Sequence, residues 1–438
     1  MTGPGKGSRS SLLAWARARS GAYIARRAVA LVRRYGITTT RARRRADACA
    51  DMLARYGTAP VYMVPGRVMA RNAPYLRSLS DRGVELGLHS YDHIDLRCVA
   101  GAEVRRQMTQ AASAFTDGGV GFDGFRCPYL GYDEETARAI PEGLVSYSSN
   151  RAIWRDEVAA DEGAATSVFR QLRRFYDAEP SSAALAVPRA GPAYIEIPCA
   201  VPDDLQLFDG LRLDEDGVAR AWTRVLLGTH DRGEAFVVLF HPELLDRVGP
   251  ALERVLSAAL ALRPAVWLAR LSDIAGWWRE RAAGSGRITE SGGRLVVELE
   301  VPPRATILVR GGDAPGAVPW SDGWLRTPAR RLDMPRAPRP AVGLAPDVPR
   351  WARDLVAAEG YLVETAAAGE CAVRLDGAAV ARLDGELGLV EHLERADGPL
   401  VRVWRWPDGA RSALAATGDL DALSLVDYAV RLAPGRRG

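Results

Sequence analysis

From residue 41 to about residue 278, the sequence alternates between segments with helical spacing and short apolar runs. Residues 41–56 carry apolar side chains at helical intervals, and Gly57 follows at the point where a helix would end. Residues 59–64 form a short run of strand-forming side chains, and residues 72–82 return to helical spacing. The alternation predicts an α/β domain built on a parallel sheet or barrel.

Polar side chains follow four of the apolar runs, where the predicted strands end. The carboxyl ends of parallel strands meet at one edge of a sheet, and α/β folds assemble their sites at that edge. The residues in these positions are His89 and His93, Arg126 and Tyr129, Asp203 and Asp204, and His241 and Glu243. We therefore expect a functional site at this edge.

His89 and His93 follow the apolar run at residues 84–88 and are four positions apart. If the chain turned helical after Leu88, both imidazoles would lie on one helix face, with about 5–6 Å between their Cβ atoms. Two imidazoles in that arrangement can share one tetrahedral metal ion. The alternative is a pair of surface histidines at a strand end, and the motif alone leaves both interpretations open.

The tail of the chain carries a pair of carboxylates. An apolar strand ends in Asp419-Leu420-Asp421, and residues 423–432 have helical spacing. Two carboxylates two positions apart at a strand end can divide duties, because one can bind a metal while the other reaches a water molecule. The alternative is a solvated turn that caps the following helix.

The composition changes after Trp278. Residues 284–287 read as a linker, and residues 294–300 and 305–310 read as strands of an antiparallel unit. A stretch rich in Pro and Arg at residues 328–349 predicts a loop or linker. Two apolar runs on either side of Asp376-Gly377 predict a hairpin. This region is predicted to be a small β-rich appended domain without a catalytic role.

Charge is unevenly distributed along the chain. Residues 1–46 contain twelve Lys and Arg and no Asp or Glu, whereas the remainder carries 46 basic against 54 acidic residues. Residues 11–35 place apolar side chains among paired arginines. This pattern predicts either an amphipathic helix on a membrane surface or a core-packing helix with a solvated arginine face. The acidic main body and the lack of a recognisable binding module argue against a nucleic-acid partner.

Several features predict a cytoplasmic protein, peripheral at the inner membrane face. No apolar run reaches the ~20 residues of a membrane span, and arginines interrupt any signal-peptide core. The five cysteines are scattered and form no CxxC pair, which favours a reducing compartment. The sequence leaves the oligomeric state open, including exchange of the tail strand between protomers.

With these residues identified, the sequence resembles the NodB-type polysaccharide deacetylases, a family of metal-dependent amide hydrolases built on a distorted (β/α) barrel. The metal motif His-x-x-x-His of that family looks like His89 to His93, and its Arg-x-Pro-Tyr motif looks like residues 126–129. Its late strand ending in a catalytic histidine looks like residues 239–242. The resemblance extends from residue 35 to residue 278 and implies the same barrel here.

One family element is missing from its usual place. The family opens with a strand ending in a carboxylate motif, but residues 36–41 contain no carboxylate. The tail strand ending in Asp419-Leu420-Asp421 resembles that opening strand. We therefore predict a circular permutation, in which the C-terminus supplies the first strand of the barrel. The alternative is a degenerate barrel without a base, in which the tail motif is a coincidence.

The permutation divides the chain into four predicted parts. These are a basic amphipathic segment (residues 1–36), the NodB-like barrel (37–283), a β-rich accessory domain (284–400), and a C-terminal strand and helix that complete the barrel (401–438).

Applied to this sequence, the resemblance implies a metal site and a base. His89, His93 and Asp421 would bind a divalent metal, and Asp419 would take a proton from water. Two imidazoles and one carboxylate suit Zn²⁺ best, with Co, Ni, Mn and Fe as alternatives. Such a metal activates water and polarises a carbonyl group.

The resemblance also implies roles for three further residues. His241 would act as the general acid, Arg126 would orient the base, and the backbone N–H of Tyr129 would complete an oxyanion site. Asp203 and Asp204 are assigned only as supporting groups or substrate contacts.

The leading hypothesis for function is a metal-dependent hydrolase that removes an N-acetyl or other small N-acyl group from an amino sugar. An intracellular glycan, a glycolipid precursor or a glycosylated metabolite would be the substrate, and the basic N-terminus would suit a lipid-linked one. The first alternative is a non-catalytic carbohydrate-binding barrel. The second is a related metal-dependent hydrolase that opens a cyclic amide.

Overall fold

The computed structural model of the 438-residue chain describes residues 31–32, 34–159, 173–191, 193–365 and 367–432. The α-helices are α1 (Thr40–Arg55), α2 (Gly66–Asp81), α3 (Gly101–Asp117), α4 (Glu134–Ala139), α5 (Asp156–Ala159), α6 (Glu215–Asp231), α7 (Leu245–Ala261), α8 (Leu271–Ala282), α9 (Arg350–Ala358), α10 (Gly377–Ala381), α11 (Gly385–Glu394) and α12 (Leu425–Leu432). The predicted helix over residues 11–35 lies outside the described residues except at its C-terminal end.

The β-strands fall into one large sheet and several small ones. The strands of the first half are β1 (Val61–Val64), β2 (Glu85–Leu88), β3 (Gly124–Phe125), β4 (Tyr147–Ser148), β5 (Ala152–Trp154), β6 (Glu179–Pro180), β7 (Arg189–Ala190), β8 (Ile195–Glu196), β9 (Cys199–Val201), β10 (Ala235–Phe240) and β11 (Val266–Leu268). Those of the second half are β12 (Ser285–Ser291), β13 (Arg294–Glu300), β14 (Ile307–Arg310), β15 (Val318–Ser321), β16 (Trp324–Thr327), β17 (Arg331–Met334), β18 (Arg339–Leu344), β19 (Val363–Glu364), β20 (Cys371–Leu375), β21 (Leu400–Val403) and β22 (Ser412–Asp419).

The large sheet has the order β10-β22-β1-β2-β3-β4-β8-β7, with β11 also paired to β22. Its strand pairs are parallel except for β7 with β8. Helices α1, α2, α3, α6 and α7 contribute buried apolar side chains to one core with β1, β2 and β10. The predicted α/β class is confirmed, and the sheet is an open, curled one rather than a closed ring among the described residues.

The final strand of the chain lies inside this sheet. β22 pairs in parallel with β10 over six residue pairs and with β1 over three. All eight residues of β22 are buried, which suits a strand covered on both faces. A segment from the C-terminus is therefore a central strand beside the first strand of the domain.

The region between α8 and β22 contains more regular structure than the sequence indicates. Three of the four residues predicted as a linker at 284–287 belong to β12, and the Pro/Arg-rich stretch contains β17 and β18. Both predictions of irregular structure were wrong in part, because β13 pairs with β12 and with β17 and so orders them. β18 pairs in parallel with β19 and β20, next to α9.

The hairpin predicted around Asp376-Gly377 was also wrong. Residues 377–381 form helix α10 instead of a returning strand. The Asp376 carboxylate accepts a hydrogen bond of 2.8 Å from the backbone N–H of Ala379. This is an N-cap interaction, which satisfies a helix-start donor and favours a helix over a tight turn. The four predicted domain boundaries remain predictions.

A buried ion cluster joins this second region to the sheet. Arg402 and Arg405 both donate to the Glu359 carboxylate, and Arg405 also donates to the backbone oxygens of Arg232 and Gly233. All three charged side chains are almost fully buried. β21 is the strand before β22 in the chain. This cluster therefore holds in place the segment that leads into β22. None of the helices in the described ranges has the length and apolar character needed to cross a membrane.

Candidate active site

Strand register brings the predicted site residues to one edge of the sheet. Within the parallel pairs, Phe240 is opposite Gly418 and Met63 is opposite Asp419. On the other side of β1, Val64 is opposite Leu88, which in turn is opposite Phe125. The side chains at or just after these positions are Asp419, His241, His89 and Arg126. The sheet therefore collects residues from both ends of the chain at its carboxyl edge.

His89 is fixed in one orientation by the backbone. Its Nδ1 lies 2.8 Å from the carbonyl oxygen of Arg126. Because a carbonyl oxygen only accepts, Nδ1 must carry the proton, and Nε2 presents a lone pair. Nε2 is buried and has no hydrogen-bond partner among the described residues. A buried acceptor of this kind suits a metal ligand.

The loop from His89 to His93 is irregular rather than helical, so the conditional helix between them was wrong. Ser90 and His93 have φ of 55° and 54°, in the left-handed region that a right-handed helix cannot contain. The Ser90 hydroxyl accepts a 3.0 Å hydrogen bond from the His93 backbone N–H and closes the loop. The two imidazoles still meet, with ring centroids 4.8 Å apart.

Asp421 completes a possible ligand set with the two histidines. Its Oδ1 lies 2.9 Å from Nε2 of His93 and 3.6 Å from Nε2 of His89. One ligand atom from each residue falls within 4.8 Å of the others. Ligands at about 2.0–2.2 Å from a tetrahedral metal are about 3.3–3.6 Å apart. The 3.6 Å separation matches this spacing and the 2.9 Å separation is shorter, so it is the donor types, two imidazoles and one carboxylate, that fit a divalent ion such as Zn²⁺.

Asp419 is paired with Arg126. The fully buried Arg126 guanidinium donates to Oδ1 of Asp419 at 3.0 Å and to the hydroxyls of Ser149 and Thr417. The other oxygen, Oδ2 of Asp419, lies 3.7 Å from Nε2 of His89. A charged hydrogen bond thus orients the carboxylate, with its second oxygen turned to the histidine pair.

His241 is paired with Asp204. Its Nδ1 is 2.7 Å from Oδ1 of Asp204, and its backbone N–H donates to Oδ2 at 2.8 Å. Burial on its own lowers the pKa of His241, but the Asp204 carboxylate outweighs burial and raises it to about 10. Asp203 instead exchanges hydrogen bonds with Gln206. Burial and the neighbouring Asp204 charge raise the pKa of Asp203 to about 7.

A pocket of about 260 Å³ opens over these groups. His93, Asp419, Asp421 and His241 line it, together with Tyr129 from the turn after β3. Tyr129 has φ of 60°, which is uncommon for a residue with a side chain, and its ring packs edge-on against His93 at 5.0 Å. All seven predicted site residues are therefore at this pocket or in contact with residues that line it.

Sequence reasoning missed Arg34 at the site, and it placed Glu243 at a strand end without giving it a role. The Arg34 guanidinium donates to Oε1 of Glu243 from Nε at 2.8 Å and from Nη2 at 2.6 Å. Nη2 of Arg34 also lies 3.8 Å from Oδ2 of Asp421. The position of Glu243 two residues after His241 was a usable signal, whereas nothing in the basic N-terminal sequence distinguishes Arg34 from its neighbours.

Comparison with known proteins identifies the family of this region. Residues 34–142 match the family model described as polysaccharide deacetylase. The matched stretch contains His89, His93, Arg126 and Tyr129, and Asp419, Asp421 and His241 lie beyond it. No curated protein matches the chain.

The chain is similar to several solved structures. A protein from Mycobacterium smegmatis described as a polysaccharide deacetylase is 22% identical, with a TM-score of 0.41; the match covers 53% of this chain and 76% of that one. A family 4 carbohydrate esterase from Streptomyces lividans, in complex with acetate, is 18% identical, with a TM-score of 0.28 and coverage of 50% and 81%. The PuuE allantoinase is 16% identical, with a TM-score of 0.41 and coverage of 52% and 70%.

The family match agrees with the resemblance drawn from the sequence motifs, and the geometry of the edge brings those motifs together. Residues 34–142 therefore carry the match to the polysaccharide deacetylase family.

Proposed function

We propose that this protein is a metal-dependent hydrolase that removes a small N-acyl group, most simply acetyl, from an amino sugar. The observation that carries the proposal is one pocket that contains a metal-type donor set, a carboxylate paired with arginine and a histidine paired with carboxylate. These are the three components that hydrolysis of an unactivated amide needs at neutral pH.

His89, His93 and Asp421 would hold the metal. When bound, a divalent metal activates water and polarises the amide carbonyl. The hydrogen bond from Nδ1 of His89 to the Arg126 carbonyl oxygen places the proton on Nδ1, so Nε2 is available as a ligand without any rearrangement. We propose zinc because two imidazoles and one carboxylate are a frequent zinc donor set.

Asp419 is the proposed base. Arg126 donates to Oδ1 of Asp419 and leaves Oδ2 on the side of the histidine pair, so Oδ2 can accept a proton from the attacking water. The water oxygen then bonds to the acyl carbon. The N–H of Tyr129 is the proposed donor to the carbonyl oxygen as negative charge develops there, which is supported by its place in the turn that lines the pocket.

His241 is the proposed acid. The Asp204 carboxylate accepts from Nδ1 and stabilises the imidazolium, which leaves Nε2 to deliver a proton. That proton goes to the amine nitrogen as the carbon–nitrogen bond breaks, so the products are a carboxylate and a free amino sugar. Proton transfers of this kind contribute about 10²–10⁴-fold to the rate.

We also propose that the chain is a circular permutation of the family arrangement. The support is that β22 lies between β10 and β1 and delivers Asp419 to the same edge as His89. We propose further that the substrate is intracellular or lipid-linked and that the basic N-terminus lies at the inner membrane face. Its support is the charge distribution of residues 1–46.

The test combines elemental analysis with a screen of N-acetylated sugars and cyclic amides. We expect about one divalent ion per wild-type chain and acetate release from an amino sugar. Both should be lost in His89→Ala and in Asp421→Ala. The matched controls are His392→Ala and Asp397→Ala, which change exposed residues.

Three results would contradict parts of the proposal. Full metal content and activity in Asp421→Ala would show that the tail supplies no metal ligand, and the proposed permutation would lose its support. If the protein contains no metal and binds sugars, and if His241→Ala does not change that binding, the protein is a non-catalytic binding barrel. Turnover of cyclic amides alone would change the substrate class.

A further inference from the structure

The two ends of the described chain form one wall of the pocket. Leu31, Arg34 and Tyr35 come from the segment before α1, and Tyr428 comes from α12. The rings of Tyr35 and Tyr428 stack with centroids 5.2 Å apart and planes 27° apart. The backbone N–H of Leu425 donates to the Gly36 carbonyl oxygen at 2.9 Å, so backbone and side chains both hold the two ends together.

Arg34 is the charged residue among the four wall residues. Its carbonyl oxygen accepts a 3.0 Å hydrogen bond from Nη1 of Arg45, and its guanidinium is held by the buried Glu243 carboxylate. Its side chain is 18% exposed. Glu243 uses two of the five N–H groups of the guanidinium. The side chain lines the pocket, so the remaining donors are available to a ligand there.

The pocket is smaller than a usual ligand-binding pocket. Its volume of about 260 Å³ is below the range of about 300–1,000 Å³ that is usual for drug-sized ligands. One acylated sugar ring is smaller than such a ligand, whereas an interior ring of a polymer needs a cleft that is open on two sides. The wall adds Leu31, Arg34, Tyr35 and Tyr428 to the lining. Tyr129, Tyr176 and Leu205 are further lining residues.

We infer, building on the function proposed above, that the site takes a single N-acyl amino sugar, either free or at the end of a glycan or glycoconjugate. Sugar rings inside a polymer are excluded. Arg34 is the specificity-determining contact, which donates hydrogen bonds to oxygen atoms of the bound sugar. Glu243 holds Arg34 in place and does not touch the sugar.

The first experiment compares substrates of different length on the metal-loaded protein. N-acetylglucosamine, N-acetylgalactosamine and a labelled hexamer of N-acetylglucosamine are incubated with it, and mass spectrometry locates each lost acetyl group. Acetyl loss from a monosaccharide, or from only one terminal ring of the hexamer, supports the inference. Acetyl loss from interior rings overturns it.

Hydrolysis of p-nitrophenyl acetate separates failure of this inference from failure of the proposed function. Ester hydrolysis that depends on His89, with no reaction of any sugar probe, leaves the hydrolytic chemistry standing and overturns the single-sugar inference. If neither ester nor sugar reacts, the proposed function falls and this inference falls with it.

Variants test Arg34 directly. Arg34→Met combined with Glu243→Gln removes both buried charges together, and we expect KM for the monosaccharide to rise about tenfold or more, with a smaller change in kcat. Arg34→Lys keeps the charge without the planar fork and should give a smaller rise in KM. Arg44→Met, at an exposed position of α1, is the control and should change neither constant. An unchanged KM in both Arg34 variants would overturn the assignment of Arg34.

Discussion

Arg126 donates a 3.0 Å hydrogen bond to Asp419, a residue 293 positions further along the chain. The two side chains belong to strands that are separated in the sheet by β1 and β2. Arg126 is fully buried. The ion pair therefore connects the tail to the main body and, in the proposed mechanism, positions the base.

Replacing Arg126 by Met should leave the Asp419 carboxylate without its cation. Removing one partner of a buried ion pair costs about 3–5 kcal/mol, and we expect the free energy of unfolding in urea to fall by about that amount. Amide hydrolysis should be lost while bound metal is retained, since Arg126 contributes no side-chain ligand. Arg138→Met, which breaks an exposed pair with Glu134, should cost well under 1 kcal/mol. Equal losses in the two variants would contradict the assignment.

The Asp204–His241 pair should make stability depend on pH. The pKa of His241 is about 10 in the folded protein and about 6.5 in an unfolded chain, so the folded state holds this proton more tightly. The pair therefore stabilises the fold fully below about pH 6.5 and progressively less as pH rises toward 10. In the metal-free protein, Asp204→Asn should cost more stability at about pH 6 than at about pH 10.

Urea unfolding at the two pH values measures this difference. Asp209→Asn is the control, because Asp209 is exposed and lies in the same segment. A loss of stability in Asp204→Asn that is the same at both pH values would show that the pair is not the source of the pH dependence.

Truncation should reveal that β22 is part of the folding unit. A chain that ends at Leu400 loses a buried strand that is hydrogen-bonded to β1, β10 and β11. We expect no cooperative thermal unfolding transition, because the sheet would be divided into two edges with unpaired backbone groups. A chain that ends at Leu432 keeps every described residue and is the control. A cooperative transition in the shorter chain would contradict the central role of the strand.

Gly418 is expected to tolerate no side chain. A Cβ atom at this position would lie 2.9 Å from two ring atoms of Pro242, which follows His241, and 3.2 Å from Tyr62. Gly418→Ala should cost about 1–3 kcal/mol through overpacking and should lower activity by displacing the His241 turn. Gly121→Ala meets no atom within 4 Å and should be neutral. Wild-type stability in Gly418→Ala would show that the turn can move without cost.

The sequence by itself determined the residue types at the strand ends. Apolar periodicity indicates where the first helices and strands lie, because burial of one face is a local property of the pattern. Polar residues after those strands then predict an edge site, as found for His89, Arg126 and His241. The resemblance to a known family added the tail residues Asp419 and Asp421, which no local pattern places beside His89.

Only the tertiary structure decided which groups meet. In the structure Asp204, rather than Asp203, is hydrogen-bonded to His241. Arg34 lines the same pocket and is hydrogen-bonded to Glu243. The tertiary structure also ordered the Pro/Arg-rich stretch as strands β17 and β18, against its local composition. Contacts between residues far apart in sequence depend on sheet register and side-chain packing, which local propensity does not specify. The sequence supplies the chemical groups of the site, and the packing of distant strands fixes the distances between those groups.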